Sequence, residues 1–176
     1  MGDVPGPDHT HDERKQFERL VQEHQTSLLR TCYLYLRDAA QAQDAVQETF
    51  LKAYRSLDGF RGQSSEKTWL IRIAMNTCHD MRKTTWYRLF DRRLTPEMLP
   101  DAGIPPEEYD DSLLMAVMDL PVKLREVVLM YYYHELSTHE IAEVLGIARS
   151  SVSGRLKRAR ERLKTLLERM ETDEGP

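Results

Sequence analysis

The stretch that most constrains the fold lies near the C-terminus, at residues 137–167, and reads STHEIAEVLGIARSSVSGRLKRARERLKTLL. Ser137 and Glu140 have the spacing of a capping box, in which each side chain satisfies a backbone N–H at the start of a helix. Apolar residues then recur at helical spacing, and Gly146 stands where a first helix would end in the left-handed conformation. The pattern predicts a short helix, a tight turn and a second helix that begins near Arg149.

The predicted second helix is apolar on one side and basic elsewhere. Its apolar residues are Val152, Leu156, Ala159, Leu163 and Leu166. Its seven cations are Arg149, Arg155, Lys157, Arg158, Arg160, Arg162 and Lys164. Against the single acid Glu161 they give a local charge of +6, in a chain whose formal net charge is −4. The arrangement indicates a helix-turn-helix that places its second helix in the DNA major groove. An ordinary helical hairpin with a solvated basic face is the alternative.

Amphipathic helical patterns also fill the N-terminal half of the chain. They run from residue 13 to 36, from 44 to 57 after a polar break at 38–43, and from 66 to 83. Asp58 and Gly59 end the second pattern, the glycine acting as a C-cap, and Ser64 or Ser65 can cap the third. No alternating strand pattern occurs, which predicts an all-α fold.

A change of composition separates the two helical parts. Residues 91–111 contain four prolines and a net charge of −5, and they lack helical periodicity. We therefore expect a disordered tail over 1–12, a helical domain over 13–90, a flexible acidic linker over 91–111, a second helical domain over 112–170 and a short tail over 171–176.

Several classes of protein are excluded by motifs that the sequence lacks. No apolar run is long enough for membrane insertion, and the polar, acidic N-terminus does not resemble a secretion signal, so we expect a cytoplasmic protein. Cys32 and Cys78 are far apart in sequence and predict buried, reduced thiols. His134 and His139 are five residues apart rather than the four of a zinc protease motif. We expect no metal, no cofactor and no enzymatic activity.

Two sets of motifs resemble the extracytoplasmic-function (ECF) sigma factors of the bacterial sigma-70 family. The first set, similar to their region 2, comprises DAVQETFLKAY from Asp44, FRG from Phe60 and TWLIRIAMNT from Thr68. The second set, similar to region 4, comprises Leu120-Pro121, Leu136-Ser137, Glu140-Ile141-Ala142, Leu145-Gly146, Arg155-Leu156 and Arg158-Ala159-Arg160. The resemblance covers about residues 17–167 with both regions in order. It implies a region 2 helical bundle followed by a region 4 helix-turn-helix.

The resemblance implies that the helix beginning at Asp44 docks on the clamp helices of the RNA polymerase β′ subunit. Asp44, Gln47 and Glu48 match the contact motif and cluster within one turn, away from the apolar face. The alternative for Asp44 is a role as helix N-cap. Region 4 would meet the polymerase at the β flap.

The resemblance also assigns the −10 promoter element to the next loop and helix. Asn76 would bracket a base flipped out of the non-template strand, which costs a few kcal/mol of stacking. The alternative for Asn76 is an exposed polar helix residue, and Trp69 is expected in the core. The cations implied to contact phosphates are Arg61, Lys67, Arg72, Arg82 and Lys83.

The second helix of the C-terminal motif is implied to read the −35 element. Ser153, Gly154, Lys157 and Arg158 fall at positions that face bases or phosphates, with Arg149, Ser151 and Arg155 as backbone anchors. The sequence departs from the family pattern at Ser153-Gly154, where a cation and a serine are common, and at Ala148, where a capping serine is usual. A mid-helix glycine costs about 1 kcal/mol relative to alanine, so we expect Gly154 to permit close approach of the backbone to DNA.

The function implied is an alternative sigma factor that binds core RNA polymerase, directs it to specific promoters and melts the −10 element. Its partners would be core polymerase, promoter DNA and an anti-sigma factor. The alternative is a helix-turn-helix regulator that does not replace the sigma subunit. Such a regulator would bind duplex DNA alone, as a dimer.

Overall fold

A computed structural model describes residues 10–83 and 111–173, and every regular element within them is a helix. The α-helices are α1 His11–Leu36, α2 Ala39–Ser56, α3 Glu66–Lys83, α4 Asp111–Met118, α5 Val122–Val128, α6 Thr138–Leu145 and α7 Arg149–Asp173. The all-α prediction is confirmed. We call α1–α3 the N-terminal unit and α4–α7 the C-terminal unit. Residues 1–9 of the predicted tail over 1–12, residues 91–110 of the predicted linker over 91–111 and residues 174–176 of the predicted tail over 171–176 lie outside the described residues. Where these segments are described they are helical apart from Thr10, since His11 and Asp12 belong to α1, Asp111 to α4 and residues 171–173 to α7.

The first helix starts earlier than the sequence pattern predicts. Thr10 and Glu13 form a capping box: the Thr10 backbone N–H donates to Glu13 Oε2 over 2.6 Å, and Glu13 N–H donates to Thr10 Oγ1 over 3.4 Å. α1 therefore begins at His11 rather than at Glu13. The apolar pattern alone misses this start because the first turn is polar and its stability comes from the cap.

The second helix differs from the prediction at both ends. It begins at Ala39 with Asp38 as N-cap, whose Oδ1 accepts from Gln41 N–H over 3.0 Å. The polar break predicted at 38–43 is therefore helical, because a well-made cap outweighs the lack of apolar residues in the first turn. The helix ends through a 3-10 turn, Leu57–Gly59, and the left-handed glycine of this loop is Gly62, with φ of 69°. Gly59 is not the predicted αL C-cap.

The N-terminal unit packs its three helices around large buried residues such as Leu20, Tyr33 and Met75, together with small residues on α2. Ala42, Ala45 and Ala53 on α2 are completely buried, which lets the helices approach closely. Cys32 of α1 and Cys78 of α3 are both buried, as predicted, and they are free thiols. A hydrogen bond with Cys32 and burial together raise the pKa of the Cys78 thiol. The thiol is therefore held in its unreactive neutral form.

The C-terminal unit contains the predicted helix-turn-helix together with a feature that the sequence pattern does not reveal. Ser137 and Glu140 form the predicted capping box at the start of α6, and Gly146 ends that helix with φ of 63°. Before it, α5 continues into a π-helical turn, Leu129–Tyr133, in which His134 N–H donates to the Leu129 carbonyl over 3.1 Å. The next side chain, His134, is only 3% exposed.

The two units pack against each other in the structure. Their buried apolar residues belong to one continuous cluster, which includes Leu20 and Ile71 from the N-terminal unit and Leu136 and Ile141 from the C-terminal unit. The main contact places α3 against α6, with a smaller one between α1 and α5. The sequence pattern does not indicate that the two units share a core.

Candidate nucleic-acid and polymerase interface

The three polar residues predicted to contact polymerase lie on α2. Asp44 and Gln47 are exposed and Glu48 is half-buried, and their spacing of three and four residues places them on one patch of the helix. Because α2 starts at Ala39, Asp44 lies inside the helix, which rules out its alternative role as the N-cap. Glu48 also pairs with Lys52, at 3.7 Å across one turn.

An apolar groove that the sequence pattern did not indicate adjoins this polar patch. The groove has a volume of about 520 Å³ and runs between α1 and α2. Gln47 borders it, and Leu51 on its rim is 51% exposed. The remaining lining residues are Phe17, Val21, Gln25, Val46, Phe50 and Tyr54. The sequence signal for this groove was Leu51, an apolar residue that does not fall on the buried face of α2.

The residues predicted for the −10 element are distributed over more than one face. Ser65, whose Oγ accepts from Thr68 N–H over 3.0 Å, caps α3. Arg72, Asn76 and Lys83 follow at spacings of four and seven residues, so they share one stripe. Asn76 and Lys83 are exposed, whereas Arg72 is half-buried.

The other predicted −10 cations lie away from that stripe. Arg82 is half-buried, with its guanidinium 5.6 Å from the centre of the Tyr35 ring. Lys67 is on a different face of α3, and Arg61 is exposed in the preceding loop. Trp69 is half-buried and stacks on Phe60 with 4.6 Å between ring centroids, in agreement with its predicted packing role.

Carboxylates of the C-terminal unit contact the same stripe of α3. The Thr68 hydroxyl donates to Glu140 Oε1 over 3.2 Å, and Arg72 lies 3.5 Å from Glu143. Further along the helix, His79 Nε2 is 2.8 Å from Glu126 Oε2. In this conformation, part of the predicted −10 surface is therefore covered.

The residues predicted for the −35 element lie near the start of α7. Arg149, Ser151, Ser153, Lys157 and Arg158 are exposed, and Gly154 is half-buried. Arg149 Nε also donates to the Thr138 hydroxyl over 3.0 Å, which ties the start of α7 to the start of α6. The buried face of the same helix is formed by Val152, Leu156 and Ala159.

Arg155 differs from the other predicted −35 residues because it is engaged within the protein. Its side chain is 18% exposed, and its Nη1 lies 2.7 Å from Glu126 Oε1. Glu126 is itself buried and accepts from His79 through its other oxygen. One carboxylate thus links α3, α5 and α7. The sequence signal for this role is a glutamate directly before the apolar run at residues 127–130 that leads into the π-helical turn.

The surroundings of Gly154 make it a clean test position. A Cβ atom added at Gly154 would meet nothing within 4 Å. The substitution Gly154→Ala is therefore expected to stabilise the free protein by about 0.5–1 kcal/mol through helix propensity. If Gly154 permits close backbone approach to DNA, the same variant will bind −35 DNA more weakly than wild type. Equal DNA affinity, measured beside a urea unfolding curve, would show that the glycine has no such role.

Family models match both helical units. Sigma-70 region 2 matches residues 20–87, and Sigma-70, region 4 matches residues 110–163. Within the described residues, no helix is long and apolar enough to cross a membrane. Residues 10–83 and 111–173 also contain no group of three or more His, Cys, Asp or Glu residues placed to bind a metal ion.

Comparisons with whole proteins agree with both family models. The RNA polymerase sigma-H factor of Pseudomonas aeruginosa is 31% identical over 89% of this chain and 88% of its own length. The RNA polymerase sigma-E factor of Streptomyces avermitilis is 32% identical over 93% of this chain and 91% of its own. Among solved structures, CnrH in complex with the cytosolic domain of CnrY is 28% identical, with a TM-score of 0.65 and coverage of 88% and 89%.

A second solved structure supports the fold. The sigma factor RpoE of Bartonella quintana, in complex with the anti-sigma factor NepR, superposes with a TM-score of 0.70 over 90% of this chain and 98% of that one. At 24% identity, it shows that the arrangement of helices is shared.

Proposed function

The chain belongs to the ECF sigma factors of the sigma-70 family, and from this premise we propose which of its surfaces meet core RNA polymerase and which read promoter DNA. Members of this family direct RNA polymerase to promoters and are not enzymes. The observation that carries the proposal is the order of surfaces along the chain: an exposed acidic and polar patch on α2, a mixed basic stripe on α3 and an exposed basic helix at α7.

The polar patch on α2 docks on the clamp helices of the β′ subunit. Asp44, Gln47 and Glu48 present two carboxylates and an amide within one turn, which complements a basic coiled-coil surface. The apolar groove beside Gln47 is continuous with this patch and receives an apolar side chain of the same clamp helix. Burial of Leu51 there contributes affinity, while the polar patch fixes orientation.

The two promoter elements are read by different helices. The −10 element meets α3, with Asn76 beside the flipped base and Arg61, Lys67, Arg72, Arg82 and Lys83 supplying phosphate contacts. The −35 element meets the first turns of α7, where Ser153, Gly154, Lys157 and Arg158 face the major groove. Arg149, Ser151 and Arg155 anchor this helix to the phosphate backbone.

Promoter-dependent transcription with bacterial core polymerase tests this function directly. Wild type is expected to yield promoter-specific transcripts, and the triple variant Asp44→Ala/Gln47→Ala/Glu48→Ala to lose them through loss of core binding. Circular dichroism should show the same helix content, because none of the three side chains is in the core. Transcripts of wild-type intensity from the triple variant would refute the docking surface.

A matched pair of leucine variants tests the groove. Leu51 and Leu113 are both exposed, at 51% and 45%, but only Leu51 borders the groove. Leu51→Asp is expected to weaken core binding about tenfold or more, whereas Leu113→Asp leaves it unchanged. Equal affinities of the two variants for core polymerase would show that the clamp helix does not bind in the groove.

An anti-sigma factor is the proposed regulator. CnrH, a 28% identical protein, is known in complex with the cytosolic domain of CnrY, and a partner of that kind would hold this chain inactive in the cytoplasm. The rival function, a regulator that does not replace sigma, would require tight dimeric binding to duplex DNA in the absence of polymerase. The presence of both sigma regions in one chain argues against it.

A further inference from the structure

We propose that a basic pocket, formed where α1, α3, α5, α7 and the turn between α6 and α7 meet, binds a small organic phosphate. The pocket has a volume of about 280 Å³, and its lining includes Lys83, Lys123 and Arg155. It is separate from the apolar groove between α1 and α2. The inference goes beyond the proposed function and does not rest on it.

Two ammonium groups of the basic pocket are available to an incoming anion. Lys123 is exposed in the first turn of α5 and forms no ion pair with an acid within residues 10–83 and 111–173. Lys83, at the end of α3, lies 3.3 Å from Asp80. Because both members of that pair are exposed, the contact holds Lys83 only weakly.

The carboxylate of Glu126 also lines the pocket, but its two oxygens are already occupied. Oε1 lies 2.7 Å from Arg155 Nη1, and Oε2 lies 2.8 Å from His79 Nε2. Arg155 offsets the charge of Glu126, so this carboxylate does not cancel the charges of Lys83 and Lys123. The pocket therefore has an excess of positive charge.

A group of three arginines beside the pocket adds to this positive charge. The Arg82 guanidinium lies 5.6 Å from the centre of the Tyr35 ring, and Tyr35 lines the pocket. Burial, followed by the charges of Arg37 and Arg82, lowers the pKa of Arg125 to about 10. The three guanidiniums therefore repel one another, and an anion nearby would relieve that repulsion.

The three arginines are only partly compensated by their own contacts. Arg125, which is buried, donates from Nη1 to the Met118 carbonyl over 3.0 Å. Arg37 lies 4.0 Å from the exposed carboxylate of Asp119. The Nε atoms of Arg37 and Arg125 are buried and have no hydrogen-bond partner among the described residues. This part of the protein thus lacks negative charge.

The chemistry of the lining favours a phosphate attached to a small apolar group. A phosphate monoester carries a charge of about −2 at neutral pH and three strong acceptor oxygens, which suits two ammonium groups. Val122, Leu145 and Ile147 form an apolar wall of the same pocket. The phosphate would contact Lys83 and Lys123 while the organic part packs on this wall.

The size of the pocket favours a small molecule over the DNA backbone. Its volume of about 280 Å³ lies just below the usual range of about 300–1,000 Å³ for drug-sized ligands. A phosphate within duplex DNA is continued by sugar on both sides, which so small a pocket does not admit. The terminal phosphate of a small molecule can enter alone.

Isothermal titration calorimetry of the full chain with phenyl phosphate tests this site at constant ionic strength. We expect one binding site, with a higher affinity than inorganic phosphate shows, because the ring packs on the apolar wall. At about ten times its dissociation constant, phenyl phosphate should raise the melting temperature by about 4 °C. Absence of binding, or an affinity no higher than that of inorganic phosphate, would overturn the proposal.

Charge reversal at Lys123 tests the position of the site. Lys123→Glu is expected to weaken phenyl phosphate binding about tenfold or more, because a charge-assisted hydrogen bond is replaced by repulsion. An acid in the first turn of α5 is compatible with the helix. Lys15→Glu makes the same charge change at an exposed position on α1 and is the matched control. Equal losses in the two variants would reveal a general effect of net charge and contradict the proposed site.

A short random-sequence duplex separates this pocket from the promoter surfaces, which also include Lys83 and Arg155. The duplex is expected to bind Lys123→Glu and Lys15→Glu with equal affinity, whereas phenyl phosphate distinguishes them. If Lys123→Glu weakens only duplex binding, the cations serve DNA and the proposed ligand is wrong. Polymerase-dependent transcription tests the sigma function separately, because Lys123 is not among the residues assigned to polymerase or promoter.

Discussion

Replacing Glu126 with alanine is expected to lower the free energy of unfolding by about 3 kcal/mol. The side chain is 5% exposed, and its two oxygens hold Arg155 at 2.7 Å and His79 at 2.8 Å. Its removal leaves both partners without their acceptor and enlarges the pocket that Glu126, His79 and Arg155 line. The expected loss is at the low end for a broken buried pair because Arg155 and His79 retain 18% and 30% exposure.

Urea unfolding followed by circular dichroism measures this effect. Glu126→Gln keeps the volume and one acceptor oxygen, so about half of the loss is expected. Glu143→Gln changes the same functional group in an exposed pair and should remain within about 0.5 kcal/mol of wild type. If Glu126→Ala is as stable as Glu143→Gln, the contacts of Glu126 do not stabilise the packing of α3, α5 and α7.

The local features of the helix-turn-helix could be predicted because each depends on residues close in sequence. Ser137, Glu140 and Gly146 form a capping box and a left-handed cap, and both follow from backbone chemistry over three or four residues. The buried positions of α7 follow equally from spacing. The N-terminal ends of α1 and α2 were less predictable, because their first turns contain few apolar residues. The signal for these ends is the capping residue, Thr10 for α1 and Asp38 for α2.

The contacts between the units could not be predicted from periodicity. Thr31 and His134 are 103 residues apart, and His79 and Glu126 are 47 residues apart. A pattern of apolar residues indicates which face of a helix is buried but does not indicate which distant element covers it. The π-helical turn adds to the difficulty, because it changes the register just before His134.

The protonation state of His134 follows from its surroundings. The Thr31 hydroxyl oxygen lies 2.9 Å from the Ser27 carbonyl and 2.6 Å from His134 Nε2, so the buried imidazole is hydrogen-bonded to α1. Burial, with smaller contributions from the charges of Lys67 and His24, lowers the pKa of His134 to about 3.

Acid is therefore expected to destabilise the folded protein well above the pH at which carboxylates titrate. A histidine with a lowered folded-state pKa contributes stability that is fully present above its ordinary pKa of about 6.5 and is lost as the pH falls towards 3. Between about pH 7.5 and pH 5, the loss from His134 is about 2 kcal/mol.

Glu140, whose pKa is lowered by the Ser137 backbone hydrogen bond, does not contribute in this range. Burial also lowers the pKa of His24, which adds a loss of the same sign. His134→Gln keeps a side-chain amide that can hydrogen-bond to Thr31 and cannot titrate, so its urea unfolding curves should shift less over this range than those of wild type. Equal shifts would mean that His134 is not held neutral at the interface.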